Sequence, residues 1–257
     1  MAIVVLTTGG TIASVRGVDG RIAPVAGGLD VVLADPDVVV RNVMAVDSST
    51  MTLSSMAAIR DAVATALVDP RVVGVVVLHG TDTLEETAMF LDLFHDDPRP
   101  VVLTGAQRPA DHPDPDGPHN VEFAIATAYR NHNTGVLVAF GDRVVPARGT
   151  RKANTTELDA YENYLPVRWP RETIAWHPEI AQTRVDIVAL YPGADRTHLD
   201  ASVAAGARGI VLDAMGSGNA NPNILAAVER CVANGIAVVV TSRYAGSLSA
   251  AATLGDG

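Results

Sequence analysis

Several residue types and patterns are scarce or missing, and each absence removes a class of protein. The chain has one cysteine, Cys231, so no intrachain disulfide framework is available and a reducing compartment suits it. Its neighbours Ala226, Ala227, Val228, Val232 and Ala233 make it a packed helical thiol rather than a nucleophile. Basic residues are few. The 19 Lys and Arg are outnumbered by 29 Asp and Glu, for a formal net charge of -10, the wrong sign for gripping a phosphate backbone. No block of like charge forms an acidic or basic tail. No segment supplies the ~20 uninterrupted apolar residues of a membrane helix, and Met1-Ala2-Ile3-Val4-Val5-Leu6 has neither the basic region nor the length of a secretory leader. These absences predict a soluble, cytoplasmic protein with no nucleic-acid or membrane partner. Aromatics make up only 4% of the residues although 48% are hydrophobic. The apolar mass is therefore Ala, Val, Leu and Ile, as in sheets covered by helices on both faces.

Short Val/Ile-rich runs alternate with Ala/Leu-rich amphipathic stretches, the pattern of βα units building a parallel sheet. Strands are expected near 2–7, 40–46, 72–78, 100–104, 135–140, 185–190, 208–212 and 236–240, and helices near 54–67, 84–95, 119–131, 197–205 and 221–233. Each strand run is apolar throughout, as for strands buried on both faces. Between about Tyr161 and Arg184 the rhythm breaks: Pro166, Pro170, Pro178, Trp169 and Trp176 stand there without a period, which reads as a linker. The fold expected is α/β with two domains. A larger N-terminal, mostly parallel sheet flanked by helices spans 1–160, and a smaller C-terminal α/β domain spans 185–257, thin for an independent domain.

Two segments carry candidate chemistry. Thr7-Thr8-Gly9-Gly10-Thr11-Ile12-Ala13 follows the first strand, and His79-Gly80-Thr81-Asp82-Thr83 follows the third. Parallel strands would bring both to one sheet edge, where open α/β sheets bind ligands. Gly10 and Gly80 allow close backbone approach, and their N–H groups can face an oxyanion. One edge would then combine two threonine hydroxyls, an aspartate and amide donors, the equipment of acyl transfer. Plainer readings exist. A Gly-Gly pair is often only a tight turn or a phosphate cradle, although for the cradle neither G-x-G-x-x-G nor GK[ST] is present. Thr83 with Glu86 forms a capping box that needs no catalysis, and Asp82 fits a turn.

These two signatures resemble those of the bacterial-type L-asparaginase family, which carries T-G-G-T-I-A and H-G-T-D-T. The resemblance continues through Gly105-Ala106-Gln107-Arg108-Pro109, Asp116-Gly117-Pro118-His119-Asn120, Lys152-Ala153-Asn154-Thr155-Thr156 and Gly216-Ser217-Gly218-Asn219. It implies hydrolysis of L-asparagine to L-aspartate and ammonia through a threonine-linked acyl-enzyme, with no cofactor. It implies Thr11 as the nucleophile, Thr81 as the second threonine, and Lys152 as the lysine linked to it. Asp82 would hold the substrate α-amino group and Ser48 its α-carboxylate. Asn219 would be lent to a neighbouring subunit's site, which implies a homodimer or homotetramer. Physically, a threonine hydroxyl attacks only when a base takes its proton. Lys152 can be that base if burial and its neighbours Arg148 and Arg151 lower its pKa.

Two features depart from the family. Its flexible N-terminal loop carries a tyrosine beside the nucleophile, and Ser14 to Leu29 contains none, so the proton acceptor is left open. The family's linker is longer and its C-terminal domain continues into a further strand and helix, so the 185–257 domain is read as incomplete. The acidic residue that some members donate from there to a neighbour has no counterpart to assign. Asp111-His112-Pro113-Asp114-Pro115-Asp116-Gly117-Pro118-His119 is rich in metal-ligand types, but its prolines indicate an extended loop rather than a rigid ligand scaffold. No metal is expected. His79 reads as a hydrogen-bonded strand-end residue rather than a general base. Two alternatives stay open: a catalytically silent amino-acid-binding module, and the asparaginase-like subunit of the archaeal-type Glu-tRNA amidotransferase. The latter is expected to carry a further N-terminal domain, whereas the first signature here begins at Thr7, and it must meet tRNA with a net positive surface.

Overall fold

The computed structural model describes residues 1–10, 14–16, 22–24, 36–164 and 171–244, and the chain divides into two compact units, Met1–Pro178 and Glu179–Gly257. In the first unit the elements are β1 (Ala2–Gly9), β2 (Ser14–Arg16), β3 (Ile22–Pro24), β4 (Val38–Val46), α1 (Leu53–Ala66), β5 (Val72–Leu78), α2 (Leu84–Phe94), β6 (Val101–Thr104), α3 (Gly117–Arg130), β7 (Val136–Phe140), β8 (Arg143–Pro146), β9 (Thr150–Lys152) and β10 (Tyr161–Asn163). The second unit holds β11 (Val185–Ala189), α4 (Thr197–Ala204), β12 (Gly209–Ala214), α5 (Pro222–Ala233) and β13 (Ala237–Ser242).

The main sheet runs β4-β1-β5-β6-β7-β8, parallel except for the antiparallel pair β7–β8. Its central strands are the apolar runs read from the sequence. Ile3, Val5, Val76, Leu78, Val102 and Ala139 are buried against Val121, Ala124 and Ala128 of α3. Helix starts are set by capping side chains: Thr52 accepts the Ser55 N–H at 3.1 Å to begin α1, and Asn221 accepts the Ile224 N–H at 3.1 Å to begin α5, with Pro222 following it.

Burial on both faces does not extend to every strand. Val39 and Val40 on the edge strand β4 are 43% and 42% exposed. The three-stranded parallel sheet β11-β12-β13 buries Val188, Ile210 and Leu212 against Leu199, Ile224 and Ala227 of α4 and α5. On its opposite face Ile187 pairs through Val211 with Val239, and Ile187 is 76% exposed. Two successive right-handed crossovers in one direction put both helices on the same face, so periodicity alone overstates the burial.

The stretch read as a linker from 161 is structured at its start. β10 pairs antiparallel with β9, and Trp176 packs edge-on against Phe90 and Phe94 of α2 with centroids 5.7 and 5.0 Å apart. The first unit accordingly reaches Pro178 rather than ending at 160. The short pairs β2–β3 and β9–β10 are not expected from the sequence, because three-residue strands carry no readable alternation.

Candidate functional site

β1, β4, β5 and β6 are adjacent and parallel, so the loops leaving them share one edge. The packing there is backbone on backbone. Gly10 has φ +83°, and a Cβ on it would lie 2.4 Å from the Cα of Gly80. A Cβ on Gly80 would in turn lie 2.4 Å from Ser48 Oγ. Glycine is required at both positions, because a side chain at Gly10 would force the loops after β1 and β5 apart and one at Gly80 would displace Ser48, after β4. Thr8 adds a side-chain tie, donating from Oγ1 to the Leu78 carbonyl at 2.9 Å.

His79 is fully buried directly after β5. Its Nδ1–H donates to the Gly80 carbonyl at 2.7 Å, which leaves Nε2 to accept from Thr87 Oγ1 at 2.9 Å. Burial holds its pKa below the usual imidazole range, with the Gly80 carbonyl opposing as a smaller effect. It is the hydrogen-bonded strand-end residue expected. Thr83 occupies the N-cap position of α2, yet its hydroxyl makes no cap bond. It donates instead to the Ser48 carbonyl at 2.8 Å, so the capping box read from the sequence does not form. Ser48 is buried, and its Oγ accepts the Asp82 N–H at 3.3 Å. Two bonds therefore fasten Ser48 to the segment 82–83.

Lys152 closes the cluster. Its Nζ donates to Thr81 Oγ1 at 2.8 Å and lies 3.4 Å from Asp82 Oδ1. The lysine side chain is 15% exposed and that of Asp82 60%, so the ammonium is enclosed and the carboxylate opens outward. Glu85, in the first turn of α2, accepts the backbone N–H of Lys152. Burial raises the Glu85 pKa, and that hydrogen bond opposes the rise. The two arginines that shortly precede Lys152 in sequence turn elsewhere. Arg151 pairs with Glu162 at 2.6 Å and Arg148 with Asp92 at 2.7 Å.

Three contributors do not stand out in the sequence. Tyr161 lies opposite Lys152 in the β9–β10 ladder, and its hydroxyl donates to the Thr81 carbonyl at 2.6 Å. Burial first, then the charges of Glu85, Glu86 and Asp82, push its pKa well above the usual phenol value, so the hydroxyl keeps its proton and donates to Thr81. Gln107 accepts from Thr81 Oγ1 at 3.3 Å. Glu85 is the third, through the bond described above. Composition alone carries one further pointer to this site: Lys152 is the only lysine in the chain, and the other 18 of the 19 basic residues are arginine. Of the two, only lysine can shed its proton in a protein.

Thr11 lies outside the described residues; Gly10, which precedes it in sequence, does not. Asn219 belongs to the second unit. There it closes the turn after β12, its N–H bonded to the Met215 carbonyl at 2.7 Å. Asp116, from the Asp/His-rich loop, accepts the N–H groups of Gln107 and Arg108 at 3.0 and 2.9 Å. Among the described residues no group of three His, Cys, Asp or Glu side chains gathers as metal ligands.

Residues 2–179 match the family model for asparaginase, N-terminal, and residues 184–254 that for the glutaminase/asparaginase C-terminal domain. The chain belongs to the asparaginase family. Among relatives, an L-asparaginase of Bacillus licheniformis is 31% identical over 93% of this chain and 81% of its own. A glutamyl-tRNA(Gln) amidotransferase subunit of Methanopyrus kandleri is 34% identical over 93% of this chain and 60% of its own. The crystal structure of a probable cytoplasmic L-asparaginase from Campylobacter jejuni superposes with a TM-score of 0.80 at 29% identity, covering 95% of this chain and 83% of that one. Of the two signature segments, the first as far as Gly10 and the second from His79 to Thr83 lie together at the edge that also holds Ser48 and Lys152.

Proposed function

We propose that this asparaginase-family chain is an L-asparaginase, hydrolysing the side-chain amide of L-asparagine to L-aspartate and ammonia. The observation that carries the reading is the Lys152–Thr81 hydrogen bond of 2.8 Å beside an outward-facing Asp82. An enclosed amine on a hydroxyl suits proton transfer, and an open carboxylate suits an α-ammonium group.

In this mechanism Thr11 attacks the amide carbon and yields its proton to a base. The tetrahedral oxyanion forms within reach of backbone N–H donors at Gly10 and Gly80. Ammonia departs with a proton, leaving an ester on Thr11. Water then attacks the ester, with Thr81 and Lys152 relaying its proton, and aspartate leaves with the threonine hydroxyl restored. Ser48 holds the α-carboxylate and Asp82 the α-amino group. Asn219 completes the site of a neighbouring subunit in a homodimer or homotetramer. We assign the chain to the cytoplasm, in keeping with its single cysteine; among the described residues no helix is long and apolar enough to cross a membrane.

The amidotransferase component is the second reading, favoured by the 34% identity to the Methanopyrus protein. The greater share of the Bacillus asparaginase that this chain spans, 81% against 60%, supports the first. Ammonia release from free asparagine by the purified chain tests the choice. Release at rates of at least about 1 per second, the low end of ordinary enzymes, is expected. Release only in the presence of a charged tRNA and a second protein would overturn it.

A further inference from the structure

We propose that Gln107 is a positioning residue for the Thr81 hydroxyl, holding its proton away from Lys152 while the lysine is charged and competing with the amine for it once the lysine is neutral. The proposal deepens the reading of Thr81 and Lys152 as a proton-relaying pair and rests on it for its role in catalysis. The orientation of the Gln107 amide follows from its partners. Its Nε2 lies 3.3 Å from the carbonyl of Asn154 and 3.2 Å from that of Glu157, and carbonyls only accept. The amide nitrogen must therefore face them, which turns Oε1 toward Thr81 at 3.3 Å. The backbone of Gln107 is pinned as well. Its N–H bonds Asp116 Oδ2 at 3.0 Å, and Asp116 is held in turn by Asn120 Nδ2 at 3.1 Å.

Thr81 Oγ1 has one proton to give. An ammonium has only donors, so with Lys152 charged the hydroxyl must accept from Nζ, and its proton goes to Gln107. With Lys152 neutral, the amine lone pair competes with Gln107 Oε1 for that same proton. Gln107 therefore favours the charged lysine. Replacing it with an apolar side chain frees the hydroxyl to donate to the neutral amine, and the titration of Lys152 moves to lower pH. Other charged and titratable groups around the pair stay as they are: Asp82 at 3.4 Å from Nζ, Glu85 on the Lys152 backbone, Glu86 one residue on, Tyr161 on the Thr81 carbonyl, and Arg151 and Arg148 paired with Glu162 and Asp92.

The test uses the lone lysine. With lysine labelled at 13Cε, the full chain gives one side-chain signal, which reports Lys152 whether or not the protein turns over asparagine. Gln107→Met, which keeps length and bulk, is expected to lower the titration midpoint, changing the ionisation constant by about three- to tenfold, the effect of one net hydrogen bond. In a Thr81→Val background the same substitution is expected to leave the midpoint in place, because the hydroxyl that couples the two is gone. Gln107→Leu makes the same prediction should the methionine variant not fold. An unchanged midpoint in the single variant overturns the proposal, and so does an equal shift in the Thr81→Val background, which would mean Gln107 acts through the surrounding structure. Ammonia release by the wild-type chain, read separately, tests the amidohydrolase assignment, so the two failures are told apart.

Discussion

Lys152 and Tyr161 are cross-strand partners in the β9–β10 ladder, and both reach Thr81: the lysine Nζ meets its hydroxyl at 2.8 Å and the tyrosine hydroxyl its carbonyl at 2.6 Å. Paired residues in an antiparallel ladder project to the same face, so one short hairpin fixes both the side chain and the backbone of a single threonine. Tyr161→Phe keeps the ring packed edge-on against Phe140, whose centroid is 5.1 Å away, and deletes only the hydroxyl. Leaving the buried Thr81 carbonyl short of its donor is expected to cost about 1–3 kcal/mol of stability. A fall in kcat of about tenfold should accompany it as Thr81 loosens. Thermal denaturation and steady-state kinetics on one preparation read both, and a variant that matches wild type in each would remove Tyr161 from the account.

Lys152→Met removes the amine and retains an unbranched apolar stem. If neutral Lys152 is the working form, activity of the wild-type chain rises with pH along a limb, because deprotonation creates the base. The variant should lose that limb together with most of its kcat. A residual activity with the wild-type pH dependence would assign the limb to another group.

The strands and helices around this site are legible in the sequence because their signals are long. β5 is seven apolar residues ended by His79-Gly80, and α2 begins where Leu84 succeeds a turn-forming Thr-Asp-Thr. The hairpin that carries Lys152 is not legible: β9 and β10 have three residues each, too few for any period. Without that hairpin, Tyr161 reads as the first residue of a linker. Thr83 shows a second limit. Its spacing to Glu86 satisfies a local capping rule, but the Ser48 carbonyl, 35 residues away in sequence, wins its hydroxyl. Local rules cannot weigh a partner that only the folded sheet edge supplies.

His79 and His95 give the fold an acid-side weakness. Both are buried, and burial is the largest influence holding each pKa below the ordinary imidazole value. The unfolded chain binds protons on these rings below pH ~6.5 while the native state does not. Their contribution is thus complete above that pH and declines as the pH falls toward the native values. The limiting loss is about 1.4 kcal/mol per pH unit for each ring. Denaturant unfolding at pH 7.5, 6.5 and 5.5 is expected to show stability steady at first and then falling, with the fall smaller in His79→Gln. Constant stability across this range would contradict buried neutral histidines.

A shared active site makes a prediction that a self-contained one does not. Thr11→Ala should lower kcat by several orders of magnitude, as loss of a nucleophile does, and Asn219→Ala should weaken activity from the second unit. If Asn219 serves a neighbouring subunit, mixing the two impaired proteins under subunit exchange raises the activity above the sum of the components, because some sites then combine an intact Thr11 with an intact Asn219. An active monomer by light scattering, or mixtures no more active than their components, would sink the shared site.

Asparagine is expected to be preferred over glutamine, for reasons of length. In the proposed mechanism Ser48 and Asp82 hold the two charged groups on the α-carbon while Thr11 meets the amide carbon. Ser48 Oγ and the backbone of Asp82 are joined by a hydrogen bond of 3.3 Å, and Ser48 is further fastened through Thr83, so this end of the clamp moves as one piece. A substrate longer by one methylene must then displace its carbonyl from the nucleophile. Fit alone discriminates a methylene by roughly 10–200-fold. Misplacing a reacting carbon by about 1 Å can add a further factor near a hundred. At least about a tenfold advantage for asparagine in kcat/KM is expected, with glutamine a detectable side substrate. Parallel ammonia-release kinetics on the two amides decide it: equal values, or a higher one for glutamine, would reassign the substrate while leaving the amidohydrolase chemistry intact, because the length of the side chain changes where the carbonyl lies and not what attacks it.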